Sequence, residues 1–202
     1  MDEKTQPLQF ILTDSNITTA NGQHLYYIKH ARWPSSRPDV ALHAGRDKHS
    51  PTVAVCELGR FSGDKIALGD PSRTAVSWVS FEKTSVFHFE YHWSFGQQTF
   101  AWKRTHNQGV GGHRPRAFST YNYKLVELHT NRVVAVYTNA KRTSLHSGTF
   151  EINVNYGKDF DTLVFLTCCA LLEKQRRSNS SANASGAAGG STGGVAAAGA
   201  GC

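Results

Sequence analysis

The sequence is poor in the features that usually announce an activity. Its first residues, MDEKTQPLQF, lack a positively charged start followed by an apolar segment and a small-residue cleavage site, so no secretory signal is predicted and a cytoplasmic location is expected. The sequons at Asn16, Asn179 and Asn183 then carry no weight, since glycosylation needs the secretory route. Cysteine is scarce, and Cys56, Cys168, Cys169 and Cys202 show no metal-ligand spacing. Adjacent Cys168 and Cys169 could bridge each other only under strain, and both read as reduced core residues. GVGG, Gly109 to Gly112, is neither a Walker loop nor a dinucleotide fingerprint, because no Gly-Lys-Ser/Thr follows and the flanks are not strand then helix. Nucleotide binding is therefore discarded, and no cofactor or metal is expected. There is no G-x-S-x-G, and Ser, His and acidic residues are too scattered to argue a triad, so the chain reads as a non-enzyme.

Long hydrophobic runs are missing too. The longest, Leu163 to Leu172, is ten residues with Thr167 the only hydroxyl, about half of the roughly 20 residues a membrane crossing needs. It lies within DFDTLVFLTCCALLEKQRR, Asp159 to Arg177, which has helix signals at both ends. Asp159 fits the N-cap and Asp161 the first turn, while Lys174, Arg176 and Arg177 fall in the last turn, the charge order that the helix dipole favours. A helix apolar all round must be buried. From Ser178 to Cys202 there is neither charge nor aromatic ring, which predicts a disordered Ser/Ala/Gly-rich tail. Cys202 is no prenylation signal, since that motif needs three residues after its cysteine. One folded domain, residues 1 to 177, is expected, and it carries the whole formal charge of +7.

That domain consists mainly of short alternating runs separated by turn residues. Strands are predicted at LQFILT, HLYYIK, TVAVCEL, DKIAL, AVSWVS, FHFEYHW, TFAWKR, YNYKLVEL, RVVAVYTN and GTFEINV. HTNR joins two of them so closely that Tyr121 to Asn139 reads as a hairpin. An all-β sandwich or barrel is favoured over strands alternating with helices. At 1.5 Å per residue the terminal helix spans about 28 Å, comparable with the height of a barrel of tilted strands. A wide barrel cannot fill its lumen with its own side chains, so the apolar helix fits as its core. The small residues Thr167, Cys168, Cys169 and Ala170 let strand side chains come close.

The order of LYYIKH, VAVCELGRFSGDKIALGD, FAWKR, YKLVELHTNRVVAVYTN and DFDTLVFLTCCALLEKQRR resembles the tubby C-terminal-like group, which includes tubby proteins, phospholipid scramblases and LURP-one-related proteins. It is most similar to a fungal domain family of that group, one with no established activity. The resemblance covers about Leu25 to Arg177. It implies a mainly β fold, a closed antiparallel barrel of roughly twelve strands around a central C-terminal helix. It also implies a lipid connection, since tubby domains bind phosphoinositide head groups. Tubby's lipid site uses a Lys and an Arg one residue apart on a strand. The only Lys-x-Arg here, Lys174-Gln175-Arg176, falls at the helix end, so those binding residues do not transfer.

Charge supplies the candidate site. Between Glu90 and Glu127 there is no acidic residue, while Lys103, Arg104, Arg114, Arg116 and Lys124 fall inside. At its centre the glycine-rich loop KRTHNQGVGGHRPR could wrap an anion with amides and guanidinium groups together. Lys141 and Arg142, expected in the loop before GTFEINV, complete the candidate anion- or lipid-binding set of Lys103, Arg104, Arg114, Arg116, Lys141 and Arg142. The same residues could equally be solvated loops that keep the protein soluble. In FHFEYHW, alternation puts Phe87, Phe89, Tyr91 and Trp93 on a core face and His88, Glu90 and His92 on the other. Residues two apart on a strand are about 6.6 Å apart and four apart about 13 Å, so this strand alone cannot assemble a metal site.

Three functions remain open from sequence. The first is a non-catalytic module that reversibly binds anionic phospholipid head groups at a membrane surface. The second is a protein-interaction or scaffold domain with a protein partner and no lipid ligand. The third, nucleic-acid binding, needs aromatics such as Trp102 outside the barrel and is disfavoured. If Phe100 and Trp102 face inward, Arg104 sits at a barrel mouth and Trp102 is core.

Overall fold

The computed structural model describes residues 7–31, 37–59, 63–84, 89–115, 121–141 and 144–188. Twelve strands form a closed antiparallel barrel: β1 (Leu8–Thr13), β2 (Asn16–Thr19), β3 (His24–His30), β4 (Val40–His43), β5 (Thr52–Glu57), β6 (Asp64–Leu68), β7 (Val79–Lys83), β8 (Glu90–Phe95), β9 (Gln98–Arg104), β10 (Tyr123–Glu127), β11 (Arg132–Lys141) and β12 (Ser144–Ile152). Each strand pairs with its chain neighbour, and β1 closes the ring on β12 with Phe10 opposite Phe150. A single helix, α1 (Lys158–Ala188), follows β12 and runs through the middle. Connections after odd-numbered strands leave the barrel where α1 emerges, here called the upper mouth. Connections after even-numbered strands leave at the lower mouth, where α1 begins.

The core follows from residue type. Every residue from Thr162 to Glu173 is buried, a run of about three helical turns with no face left for water. Aromatic rings from the strands pack against the helix, edge-on at Phe165 and tilted or stacked at Phe160. Phe165 is 5.0 Å from Phe10 and 5.1 Å from Phe150 between ring centroids, while Phe160 is 5.0 Å from Phe100 and 5.8 Å from Trp93. Edge-on pairs at this spacing gain from ring quadrupoles beyond the area they bury. The helix's hydroxyls do two jobs. Thr167 donates to the Leu163 carbonyl at 2.7 Å and accepts the Trp102 indole N–H at 2.8 Å. Thr162 donates to the Lys158 carbonyl at 2.8 Å and meets the Tyr26 hydroxyl at 2.9 Å. Cys168 and Cys169 are fully buried free thiols, and burial pushes the Cys169 thiol up to about 12 and Cys168 well above the ordinary thiol range. They are not nucleophiles at neutral pH.

Several expectations need correction. Asn16–Thr19 and Val40–His43 are strands in addition to the ten predicted, each only four residues long. In Val40–His43 all four residues are buried, so no polar–apolar alternation marks it. AVSWVS starts its strand only at Val79, and the preceding Val76 and Trp78 cover a small cluster of Ala41, Val55 and Ala67 on the outer wall. Lys65 completes this patch, with its ammonium 4.1 Å from the Trp78 ring centroid. Gly157, with φ of +93°, precedes the helix where Asp159 was expected to cap it, and Asp159 and Asp161 both lie in the first turn. The helix does not stop at Arg177 but continues to Ala188. Residues 178 to 188 therefore extend it, because Ala propagates a helix well and the Ser180 and Ser181 hydroxyls return to the Arg176 and Arg177 carbonyls at 3.0 and 3.1 Å. The last part of the expected tail, residues 189–202, lies outside the described residues.

The expected hairpin is present, with β10 and β11 paired from Tyr123–Tyr137 to Glu127–Arg132. Phe100 and Trp102 are fully buried, as the inward reading of TFAWKR requires.

Replacing Thr167 by the isosteric Val strands the buried Trp102 N–H. Urea denaturation is expected to show a loss of about 1–3 kcal/mol.

Candidate functional site

The upper mouth is built by carboxylates that no single stretch of sequence would bring together. Asp39 immediately precedes β4 at its upper end, Asp64 opens β6, and Glu173 ends the buried run of α1; their relative exposures are 0%, 7% and 0%. A buried carboxylate is costly unless paired and hydrogen-bonded, and all three are. Asp39 accepts the Leu58 amide at 2.8 Å, pairs with Arg37 and takes the Arg177 guanidinium at 2.7 Å. Asp64 accepts the Gly59 amide at 3.1 Å and pairs with Lys174. Glu173 receives two bonds from Arg176, both 2.8 Å, and one from Arg177 at 2.7 Å. Each of Asp39 and Asp64 thus ties the turn after β5 to a cation on the helix.

Burial alone would raise the Glu173 carboxyl, but the Arg176 and Arg177 bonds outweigh it and hold it below the usual carboxylate range. A carboxyl depressed by folding stabilises the protein above its unfolded value near 4.5, and that contribution is lost as pH falls through the folded value.

These pairs fix the walls of a cavity of about 450 Å³ lined by Leu58, Gly59, Lys174, Arg176, Arg177, Ser180 and Ser181. Its cations are positioned by partners behind them, while the Arg176 side chain remains 48% exposed and Lys174 and Arg177 about 30%. Arg37, Lys174, Arg176 and Arg177 against Asp39, Asp64 and Glu173 leave one positive charge in excess. Arg104 adds another beside the helix. Its guanidinium bonds the Gln175 side chain at 2.9 Å and lies 4.9 Å from the Phe89 ring, which stacks on Tyr123 at 5.0 Å.

Of the residues expected from sequence, Arg104 is therefore at the mouth. Lys103, next to it, points to the outer wall, where it pairs with Glu90 at 3.3 Å and neighbours Lys124 across β9 and β10. His92 also bonds Glu90 at 2.7 Å, and this bond first, then Lys103, holds the Glu90 carboxyl below its usual range. Lys141 ends β11 rather than lying in a loop, because β12 begins at Ser144; its side chain, Arg142 and Arg116 lie outside the described residues. Phe87 and His88 do as well, while Tyr91 and Trp93 face the core as expected.

Arg114 is exposed on a loop laid against the outside of β11 and β12. One amide of that loop does bind an anion, but an internal one, and a second binds a hydroxyl beside it. Gly111 N–H donates to the Glu151 carboxylate at 2.6 Å, Val110 N–H to the Thr138 hydroxyl at 3.1 Å, and Gln9 reaches Glu151 from β1 at 3.3 Å. Gly111 and Gly112 take φ of +67° and +72°, a left-handed pair that side chains resist and that turns the Gly111 amide onto Glu151. The glycine-rich loop is thereby committed to the barrel wall.

Lys174, Arg176 and Arg177, read from sequence only as dipole partners at a helix end, are the residues that line the cavity. The signal was the helix itself, since basic residues straight after a fully buried run must lie where that run leaves the barrel. At the lower mouth the chemistry differs. Asp161 has a side-chain oxygen without a hydrogen-bond partner among the described residues, and burial pushes its carboxyl up to about 6. Among the described residues no group of three or more His, Cys, Asp or Glu side chains could hold a metal ion.

The chain matches no protein-family model, no curated protein and no solved structure.

Two measurements probe this layout. Glu151→Ala removes the acceptor for the Gly111 amide, and hydrogen exchange at Gly111 is expected to quicken by roughly tenfold or more, as losing a bond to a charged acceptor implies. Because folding raises the Asp161 carboxyl from 3.8 to about 6, its ionisation costs stability as pH rises through that window. Asp161→Asn is expected to raise Tm above pH 6, with the gain vanishing towards pH 4.

Proposed function

We propose that the protein is a non-catalytic, tubby-like binding module whose upper mouth reversibly engages the phosphate-bearing head groups of anionic phospholipids, phosphoinositides among them. The observation that carries this reading is the cavity lined by Lys174, Arg176 and Arg177, whose cationic groups are held in place by buried Asp39, Asp64 and Glu173. Its volume of about 450 Å³ falls in the range of ligand pockets, roughly 300–1,000 Å³. Two guanidinium forks and an ammonium suit a phosphate monoester, because the forks can each take two oxygens while the ammonium adds a point charge. Preorganisation matters as much as charge. Side chains already fixed by ion pairs lose little freedom when a ligand arrives.

Leu58, a buried core residue, gives the cavity one apolar lining side chain, a suitable neighbour for the glycerol part of a lipid. Among the described residues no helix is long and apolar enough to cross a membrane, so engagement through this mouth would be peripheral. Each basic group near an anionic leaflet adds about 1 kcal/mol, which makes recruitment by a few such groups reversible. The binding groups in this reading are Lys174, Arg176, Arg177 and Arg104, with Arg114 and Lys103 outside the cavity.

Co-sedimentation with phosphatidylcholine vesicles carrying phosphatidylinositol bisphosphate, at about 0.15 M salt, tests this. Arg176→Ala and Arg104→Ala are each expected to weaken binding about fivefold, the equivalent of about 1 kcal/mol, while Lys103→Ala leaves it unchanged. Equal binding by wild type and the Arg176→Ala/Arg104→Ala double variant would sink the proposal, as would no binding at all alongside a stable protein partner recovered in a pull-down.

A further inference from the structure

We infer that Ser180 is a phosphorylation site whose phosphate docks in the same cationic cavity and closes it to head groups. This rests on the head-group reading for its consequence, though not for the modification or the docking. Ser180 and Ser181 are exposed and both line the cavity, opposite no acidic side chain among its lining residues. Ser180 follows Arg177 by three positions and Arg176 by four, so on the helix the three side chains share one side. A phosphate on the Ser180 oxygen would therefore sit where its three acceptor oxygens face two guanidinium groups. Arg176 is the better placed of the two, because it is the more exposed and, among the described residues, it pairs with Glu173 alone, within the helix. Arg177 is committed to both Asp39 and Glu173.

The segment also suits the modifying enzyme. Lys174, Arg176 and Arg177 precede Ser180 by six, four and three residues, which gives a protein kinase with an acidic substrate groove three cations to hold. Ser178, Asn179, Ser180 and Ser181 are weak helix formers, so this turn can open locally at low cost, releasing the Asn179 side chain from the Tyr121 hydroxyl and the Ser180 hydroxyl from the Arg176 carbonyl. The kinase transfers the γ-phosphoryl group of ATP: a bond forms from Ser180 Oγ to phosphorus, the bond to the ADP oxygen breaks, and the hydroxyl proton passes to the kinase's base. When the turn re-forms, a charge of about −1.5 to −2 enters a mouth whose network and Arg104 together hold only two positive charges in excess. Among the described residues of the mouth, no net attraction for an anionic lipid surface then remains.

The test uses the full chain, treated with ATP and an arginine-directed serine kinase, with phosphosites located by mass spectrometry. Phosphate is expected at Ser180, and phosphorus NMR is expected to show the phosphoserine titrating at lower pH than in the isolated 174–184 peptide, a displacement reversed by Arg176→Ala. On the vesicles above, the phosphorylated chain is expected to bind at least tenfold more weakly than the untreated chain, while the kinase treatment makes no difference to the binding of Ser180→Ala relative to its own untreated form. An intact chain left unmodified at Ser180 by a kinase that phosphorylates the peptide overturns the proposal, and so does a phosphoserine that titrates as it does in the peptide. A displaced titration in a chain that binds no vesicles, modified or not, would uphold the docked phosphate and overturn only the head-group reading.

Discussion

A ring of twelve strands encloses more space than its own inward side chains fill, and the whole molecule is organised by the need to occupy that space. The solution is α1, whose residues from Thr162 to Glu173 are all buried. A helix surrounded by protein on every side has no solvent face, so its composition is set by shape alone: Leu and Phe where strands leave room, and Cys, Ala and Thr where Trp102 and its neighbours press in. The two threonines are tolerated because each hydroxyl finds a carbonyl in the preceding turn and a partner on a strand. The same axial placement dictates the upper mouth. Where the helix leaves the core it must change from apolar to charged within one turn, and Glu173, Lys174, Arg176 and Arg177 are that change.

The charges at the mouth are a consequence of burial as much as of solubility. Asp39 and Asp64 occupy strand starts where the turn after β5 presents unsatisfied Leu58 and Gly59 amides, and their carboxylates serve those amides first. Once buried there, they require cations, and among the described residues these come from the emerging helix and from Arg37. Buried ion pairs of this kind add little net stability, yet removing one partner is expensive, so they fix geometry more than they strengthen the fold. The result is a set of positive groups anchored from behind and open in front.

Much of the architecture was legible in the sequence because its strongest signals are local. The uniform greasiness of Leu163 to Leu172 and the alternation in FHFEYHW and TFAWKR point to a buried helix inside a β wall, and Trp102 and Arg104 lie where alternation puts them. The failures are of a different kind. Val40–His43 carries no alternation because its outer face is covered by Trp78, a tertiary contact invisible along the chain. The acid-free stretch between Glu90 and Glu127 reads as an anion site along the chain, yet Glu90 neutralises Lys103 from the neighbouring strand and Glu151 takes the Gly111 amide from a strand some forty residues away. Charge density along a chain overlooks partners contributed across a sheet. Asp39, Asp64 and Glu173 converge only after the barrel has closed, so no window of sequence contains that cluster.

The position of α1 after every strand has a consequence for how the molecule comes into being. A ribosome emits β1 to β12 before the segment that fills the space between them, and β1 cannot complete the ring until β12 arrives. Throughout synthesis, at about 5–20 residues per second, inward-facing rings such as Phe10, Tyr26, Trp93 and Phe100 have no interior to enter, and two strand edges stay unpaired. Nothing in the wall can settle until its plug is made. The nascent chain is thus exposed to aggregation while most of the barrel is being made, and the wall closes around the final helix in a single late event.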